Sequence, residues 1–333
     1  MVFVSGGTGL VGMHLIASLL SDGQQVVAGK RANSDLSAIR DFLKYSLPNV
    51  PGAFESIQWR DVDLEDRASF AIAMKDCNAI YHAAAMVSFH SKDFSRMVEF
   101  NVGSTRTMVD YALDHDVTFF GYVSSVAALG REENKPITES TEWKYDENNS
   151  TYAGSKYNAE LEVWRGIEEG LNAYMVNPSI IMGIGDFTRS SAEIFKQVKK
   201  GMPYYPGGNN GFVAVQDVVE VLRHMCEKEA PSRRYMLVAE NWSYQHLFDL
   251  VANAVNGKSP NKQAPLWTMK LYWRIQQIKE LFTGKRAFVT RESLRNANQK
   301  YTYDATKVKN ELNYQFQDVK EVIKETGEYF LNH

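Results

Sequence analysis

The chain opens on a short apolar run, Val2-Phe3-Val4, which stops at Gly6-Gly7-Thr8-Gly9-Leu10-Val11-Gly12. A short apolar run bounded by a turn signal predicts a buried strand. Apolar residues then recur at helical spacing through Met13, Leu15, Ile16, Leu19 and Leu20, until Asp22-Gly23 ends the pattern. Gln25-Val26-Val27-Ala28 reads as the second strand, Ser56-Ile57-Gln58-Trp59 as the third and Ala79-Ile80-Tyr81-His82 as the fourth. Thr118 to Val123 and Ala173 to Val176 supply a fifth and a sixth. Helical patterns lie between them near 35–45, 65–75, 95–115 and 150–170. Repeated β–α units with short apolar strands predict an α/β fold, a Rossmann-type doubly wound parallel sheet with right-handed crossovers.

The pattern changes after Pro178. Pro203, Pro206, Gly207-Gly208 and Asn209-Asn210 mark loops. Helices are expected over 216–228, 243–256, 266–283 and 318–331, with one short strand at Tyr235-Met236-Leu237-Val238. The expected division is a dinucleotide-binding domain at 1–178 and a smaller, mainly helical substrate lobe at 179–333. Segments such as 212–238 would return to the main domain. Pro265 to Phe282 mixes Leu, Trp and Ile with Lys270, Arg274 and Lys279. An amphipathic helix on a pocket or oligomer face is the plain reading, and an interfacial membrane helix the alternative.

Charge and cysteine usage narrow the function classes. The 333 residues carry 37 Lys+Arg against 40 Asp+Glu, a net charge of −3, which argues against a nucleic-acid footprint. Cys77 and Cys226 are too few for a disulfide framework or a cysteine-rich metal site. They are expected in the core of a cytoplasmic protein. No uncharged apolar run approaches the ~20 residues that cross a bilayer, and no signal peptide is expected ahead of the first strand. The expected partner is a small molecule, with neither nucleic acid nor a membrane.

Candidate chemistry starts at the glycine-rich turn. Between a strand and a helix, such a turn lets the backbone approach a pyrophosphate at the positive end of the helix dipole. Gly6, Thr8, Gly9, Leu10, Val11 and Gly12 are therefore candidate cofactor residues. The second strand ends Lys30-Arg31, with no acid before Asp35. An acid there would hold the ribose 2′-hydroxyl of NAD, whereas the planar fork of Arg31 suits a 2′-phosphate. NADP is thus preferred over NAD, the alternative being that Lys30 and Arg31 are a solvated surface pair. Asp63-Leu64 follows the third strand, where a carboxylate can accept the adenine amino group, with Asp61 as competitor. Ala83, Ala84 and Ala85 after the fourth strand allow close approach of the cofactor or, alternatively, tight strand–loop packing.

Tyr152 and Lys156 stand at i and i+4, on one face of a helix. A nearby ammonium favours phenolate and makes the tyrosine a usable acid/base. Ser124-Ser125 end the fifth strand, and a hydroxyl there can stabilise charge on a substrate oxygen. Ser125 is the candidate, while Ser124 is expected to bond the local backbone or touch cofactor.

As an ordered set these motifs resemble the extended short-chain dehydrogenase/reductase superfamily, also called the NAD-dependent epimerase/dehydratase family. Gly6 to Gly12 resembles its nucleotide loop, Asp63-Leu64 its adenine pair and Tyr81 to Ala85 its fourth-strand motif. Asn101-Val102-Gly103-Ser104-Thr105 is similar to its mid-helix asparagine motif, and Tyr122-Val123-Ser124-Ser125 to its serine strand. Asn177-Pro178 to Gly183 resembles the segment on the nicotinamide side of the pocket. Tyr303 to Lys307 with Glu311 to Tyr314 resembles its closing pattern, with Asn313 where glycine is usual. The resemblance implies Ser125, Tyr152 and Lys156 as the catalytic set, Asn101 supporting Lys156, Pro178 beside the cofactor, and a homodimer built on helices 95–115 and 150–170. Arg31 and the Met86-Val87-Ser88-Phe89 segment point to the dihydroflavonol 4-reductase and 3β-hydroxysteroid dehydrogenase-like branch.

The implied reaction is hydride transfer between a nicotinamide and the carbonyl or carbinol carbon of a partly apolar substrate. Phe89, Met182, Phe187, Phe195, Tyr204, Tyr205 and Trp267 are candidate pocket residues, although aromatics at such places are more often core than ligand contacts. The first rival is a nucleotide-sugar epimerase or dehydratase with tightly held NAD. Val126-Ala127-Ala128 after Ser125, in place of an acidic pair, argues against the dehydratase. The second rival, a non-catalytic cofactor sensor, is disfavoured by the Tyr and Lys pair.

Overall fold

The computed structural model describes residues 1–63, 66–88, 93–131, 135–146, 149–265 and 295–333. Leu64, Phe89, Trp267 and the expected helix 266–283, with most of the Pro265 to Phe282 stretch, lie outside the described residues. Strand β1 (Val2–Ser5), helix α1 (Leu10–Ser21), β2 (Val26–Lys30), α2 (Ser37–Ser46), β3 (Gln58–Asp61), α3 (Arg67–Met74) and β4 (Ala79–His82) alternate strictly. Helices α4 (Phe94–Val98) and α5 (Ser104–Asp114) are joined by a π-helical turn at Glu99–Gly103. β5 (Phe119–Val123), α6 (Thr151–Glu168) and β6 (Ala173–Pro178) complete the repeated units. Then come β7 (Ile180–Met182), α7 (Glu193–Lys199), β8 (Tyr204–Tyr205), β9 (Asn209–Ala214), α8 (Val215–Lys228), β10 (Arg234–Leu237) and β11 (Glu240–Ser243). α9 (Tyr244–Ala254), β12 (Lys262–Gln263), α10 (Thr306–Leu312) and α11 (Val319–Asn332) close the described chain.

Among the described residues, seven strands form a parallel sheet in the order β10-β6-β5-β4-β1-β2-β3. The chain winds outward from β1 through β2 to β3, then restarts on the other side at β4. That reversal sets the carboxyl ends of β1 and β4 side by side, with Ser5 opposite His82, and opens the crevice where doubly wound sheets bind ligands. Strands β1, β4 and β6 are buried along their whole length, the signature of a sheet covered on both faces. Cys77 and Cys226 are buried and unpaired. No helix among the described residues is long and apolar enough to cross a membrane.

The second half departs from the expected loops. Asn209-Asn210 begin β9, which pairs antiparallel with β11 through Asn209 opposite Ser243 and Asn210 opposite Trp242. β7 adds to the other edge of β9, so tertiary pairing overrides the low strand propensity of asparagine. β10 returns to the main sheet beside β6. A separate apolar cluster joins Met182, Phe195, Phe212, Leu247, Val251 and Ile323. The third strand begins at Gln58 rather than Ser56. Ser56 is held in a turn, its N–H on Gly52 and its hydroxyl on Ala53. Asn313 takes the left-handed conformation that ends α10, with φ 49°.

Candidate active site

The glycine-rich turn is closed by the Gly9 N–H on the Gly6 carbonyl at 2.8 Å. Gly6 has φ +70°, and a Cβ there would meet the Ala84 backbone at 2.8 Å. A Cβ on Gly12 would lie 2.1 Å from the Gly6 carbonyl oxygen, so only glycine lets α1 start this close to β1. No side chain caps the amino end of α1. Its first N–H groups and dipole are thus available to an anion.

A cleft of about 1100 Å³ runs from this turn along the carboxyl ends of the sheet. Gly6, Thr8, Gly9, Leu10, Val11, Arg31, Ala83, Ala84, Ala85, Ser125, Tyr152 and Lys156 all line it. Gly12, Asp63, Asn101 and Pro178 are outside its lining. Gly12 is packed against Gly6, and Pro178 ends β6 opposite Leu237. The Asp63 backbone N–H bonds the Ser69 hydroxyl at 2.9 Å. Its competitor, Asp61, is ion-paired with Lys30, which leaves Arg31 as the exposed cation of the expected surface pair.

Ser125 and Tyr152 meet directly. The Ser125 hydroxyl accepts the Ala127 N–H at 3.1 Å and hydrogen-bonds the Tyr152 phenol. Burial raises the Tyr152 pKa above the ordinary phenol value, and the Ser125 bond pulls it partly back. Lys156 is 1% exposed. It donates to the Tyr122 hydroxyl at 2.8 Å and to the Val123 carbonyl at 2.9 Å. Burial lowers its pKa to about 7, against a raising effect of Glu160. The expected depression of the phenol by Lys156 is not seen: burial and the Ser125 bond set the Tyr152 pKa, while the Lys156 ammonium is engaged by Tyr122 and Val123.

Beneath Lys156 lies a buried polar chain that sequence reasoning missed. The Tyr122 hydroxyl hydrogen-bonds Thr105. The Thr105 hydroxyl donates to the Asn101 carbonyl at 2.7 Å and lies 3.0 Å from His82 Nε2. His82 Nδ1 is 2.7 Å from the Ser5 hydroxyl, which accepts the Ala84 N–H at 3.1 Å. A neutral imidazole has one donor and one acceptor nitrogen. Thr105 has already spent its proton, so Nε2 carries the imidazole hydrogen and Nδ1 accepts from Ser5. Burial, aided by the Lys156 charge, lowers the His82 pKa to about 3 and keeps it neutral.

Asn101 sits in the π-helical turn, a feature frequent at functional sites. Its side chain bonds the Met86 N–H at 2.8 Å, the Met86 carbonyl at 3.0 Å and the Ser155 hydroxyl at 2.9 Å. It thereby pins the loop after β4 to α6 and reaches Lys156 only through that helix. Ser124, expected on local backbone or cofactor, lines the cleft, and its hydroxyl donates to buried Glu160 at 2.7 Å. Glu160 also accepts from Asn177 at 2.8 Å and pairs with Arg234 at 2.5 Å. Asn177 in turn holds the Ser125 carbonyl at 2.9 Å.

On the opposite wall the structure decides between pocket and core. Met182 and Phe195 are buried in the second-half core, Phe187 packs on Phe195 and Phe330, and Tyr204 faces solvent. None of these, nor Tyr205, lines the cleft. Met182 of β7 and Phe195 of α7 pack with Leu247 and Val251 of α9 and Ile323 of α11 rather than on the cleft. Tyr244, Tyr301, Tyr303, Asn210 and Ile181 line the cleft instead. Arg131, also at the cleft, lies 4.8 Å over the Tyr301 ring. Of these, Ile181 carried a sequence signal in the Asn177 to Gly183 segment and Tyr303 in the closing motif.

The phosphate-sized turn, the uncapped helix start, the small residues after β4 and a terminal Ser–Tyr–Lys group fit an extended dinucleotide. The NAD-dependent epimerase/dehydratase family model matches residues 2–238. A Synechocystis sp. protein described as a dihydroflavonol 4-reductase is 29% identical, over 99% of this chain and 94% of its own. The crystal structure of gox2253 superimposes with a TM-score of 0.78 at 27% identity, covering 100% of this chain and 98% of its own. The UDP-glucose 4-epimerase of Thermotoga maritima shares the fold, with a TM-score of 0.76, 18% identity and coverage of 99% and 98%. The chain belongs to the NAD-dependent epimerase/dehydratase family.

Proposed function

We propose that the protein is an NADP-dependent oxidoreductase that interconverts a carbonyl and a carbinol on a small, partly apolar substrate. The observation that carries this reading is the Ser125–Tyr152 hydrogen bond in the same cleft as buried Lys156. A bound nicotinamide supplies the hydride or accepts it. Tyr152 gives the proton to the substrate oxygen in reduction and takes it back in oxidation. Its raised pKa keeps that proton in place until the oxygen becomes basic. Ser125 orients the same oxygen, and Lys156, fixed by Tyr122 and Val123, donates to the ribose hydroxyls. Asn101 acts by positioning α6. Gly6, Thr8, Gly9, Leu10 and Val11 cradle the pyrophosphate, Gly12 shapes the turn, and Ala83, Ala84 and Ala85 pass close to the ribose. Arg31 meets the 2′-phosphate.

The aromatic wall of Tyr244, Tyr301 and Tyr303 supports a flat or apolar substrate. The division at 178/179 and a homodimer through α5 and α6 belong to the same proposal, and light scattering of the purified protein tests the dimer. The reaction is tested by purifying the protein, extracting any bound nucleotide, and following oxidation of added NADPH and NADH with a panel of aldehydes and ketones. Oxidation of NADPH in preference to NADH is the expected outcome. Bound, non-exchanging NAD with no oxidation of added cofactor would overturn the reading in favour of an epimerase.

A further inference from the structure

Arg189 belongs to the segment between β7 and α7, in the half of the chain opposite the glycine-rich turn, yet its guanidinium reaches that turn. Its Nη2 donates to the Thr8 carbonyl at 2.8 Å. Its Nε pairs with Asp186 Oδ2 at 2.8 Å. Asp186 is itself fixed, accepting the Thr188 N–H at 2.9 Å and the Thr188 hydroxyl at 2.6 Å. The guanidinium is thus held at two points, and its Nη1 makes no hydrogen bond among the described residues. The side chain is 43% exposed and lines the same cleft as Arg31 and Ser34. Its charge is felt at Asp35, in the loop that follows Arg31, and helps hold that carboxyl below its usual range behind the larger effect of Ser37.

Three cations therefore stand at this end of the cleft, and they are not equivalent. Lys30 is neutralised by Asp61. Arg31 approaches from the sheet side and Arg189 from across the cleft. Of the nearby carboxylates, Asp186 takes the Nε edge of Arg189, and Asp35 accepts the Ser37 N–H at 2.8 Å. A planar guanidinium fixed on two sides and open on the third is suited to a phosphate oxygen, because little rotamer freedom remains to be lost.

We propose that Arg189 is a second ligand of the cofactor's adenosine 2′-phosphate, forming a two-arginine clamp with Arg31. The proposal rests on the NADP reading above. It makes a residue of the substrate-side loop a determinant of cofactor choice. The same loop is tied to β7 by the Ser191 hydroxyl on the Ile181 carbonyl at 2.5 Å, and Ile181 lines the cleft. Seating the 2′-phosphate would therefore also fix part of the substrate wall.

The test uses calorimetric titration of the full chain with adenosine 2′,5′-bisphosphate and with adenosine 5′-monophosphate. The wild type should prefer the bisphosphate. Arg189→Met should weaken the bisphosphate about tenfold or more, the scale of one lost charge-assisted hydrogen bond, and leave the monophosphate within about twofold. Arg189→Lys, which keeps the charge without the fork, should fall between. A variant that weakens both ligands equally, or neither, overturns the clamp while a wild-type preference for the bisphosphate leaves the NADP reading standing. A wild type without that preference overturns both. Melting curves confirm that each variant is folded, and if Arg189→Met is not, the same comparison is made on Arg189→Lys.

Discussion

The two sides of the cleft are built on different physical terms. The floor comes from β1, β4, β5, α5 and α6 and is polar but dry. Ser5, His82, Thr105, Tyr122, Lys156 and Glu160 are each no more than 3% exposed. Hydrogen bonds join the first five into one chain, Glu160 anchors Ser124, Asn177 and Arg234 beside it, and such buried networks rigidify only when every member is satisfied. The wall comes from segments near 181, 210, 244 and 301 and presents aromatic and amide side chains that are only partly covered. A change in the floor should therefore disturb chemistry or stability, and a change in the wall should disturb only which molecule is held. Each prediction below tries to break that separation.

The largest effect is expected at Tyr152, which lines the cleft beside Ser125 and is the proposed acid/base. Tyr152→Phe should lower kcat by about 10²–10⁴-fold, the range for losing a positioned acid/base. The melting temperature and cofactor affinity should hold, because phenylalanine keeps the ring and its packing. Steady-state kinetics with fluorescence titration of NADPH separates the two. An unchanged kcat would remove Tyr152 from the mechanism.

Next in size is Glu160, which touches no substrate. It gathers Ser124, Asn177 and Arg234 at one buried carboxylate. Removing one partner of a fully buried ion pair costs about 3–5 kcal/mol, and because Arg234 is 23% exposed and also holds the Glu139 carbonyl, the low end of that range applies here. Glu160→Ala should lose stability on that scale in urea unfolding. Glu160→Gln, which keeps an acceptor, should lose less. Because Asn177 also holds the Ser125 carbonyl, kcat should fall with stability, and a destabilised variant of normal kcat would uncouple this node from the site.

This contrast also explains what the sequence made legible. Gly6 to Gly12, Ser125, Tyr152 and Lys156 were readable because their chemistry is written in local spacing, a turn before a helix or an i, i+4 pair. Thr105, Tyr122 and His82 stand inside motifs that carry the resemblance, but their local spacing gives none of them a role. Each looks like an interior position of its own element, and only sheet order brings them together. The wall stayed open between pocket and core because Met182, Phe195 and Phe187 sit on elements with two plausible faces, and periodicity does not say which face meets the sheet edge; the core reading is the one the structure takes for these three. Tyr244 and Tyr301 lie far apart in sequence and carry no motif. The strand at Asn209–Ala214 was hidden because asparagine and glycine signal loops unless a partner strand is already known.

Acid should expose the floor as well. His82 is lowered to about 3 and His14 to about 4, both by burial. The unfolded chain would protonate both near 6.5. Between those values the unfolded state binds more protons, so stability falls as pH drops from the higher to the lower. The cost is about 1.4 kcal/mol per pH unit for each histidine. Lys156, lowered to about 7 from 10.5, acts with the same sign in a higher window, so the cofactor-free protein should gain stability as pH rises through that range. Urea midpoints measured across both windows check the slopes. A flat profile on the acid side would mean that neither histidine is held neutral.

The smallest effect is expected in the wall. Arg131 is braced by the carbonyls of Leu129 at 2.6 Å and Gly130 at 2.9 Å, and its guanidinium rests on Tyr301. Tyr301→Leu keeps an apolar surface but removes the ring, and with it a cation–π contact worth about 0.5–1 kcal/mol at an exposed site. Substrate KM should therefore rise a few-fold, while kcat, NADPH affinity and the melting temperature hold. Because Arg131 is still fixed by its own loop, the loss should be confined to the face that Tyr301 offers to the cleft. An aromatic carbonyl substrate should suffer more than an aliphatic one of similar size. If kcat fell with KM unchanged, Tyr301 would be acting on the reacting atoms through Arg131 and the loop that follows Ser125. The wall would then be part of the catalytic machinery, and the separation between the two sides of the cleft would fail at this contact.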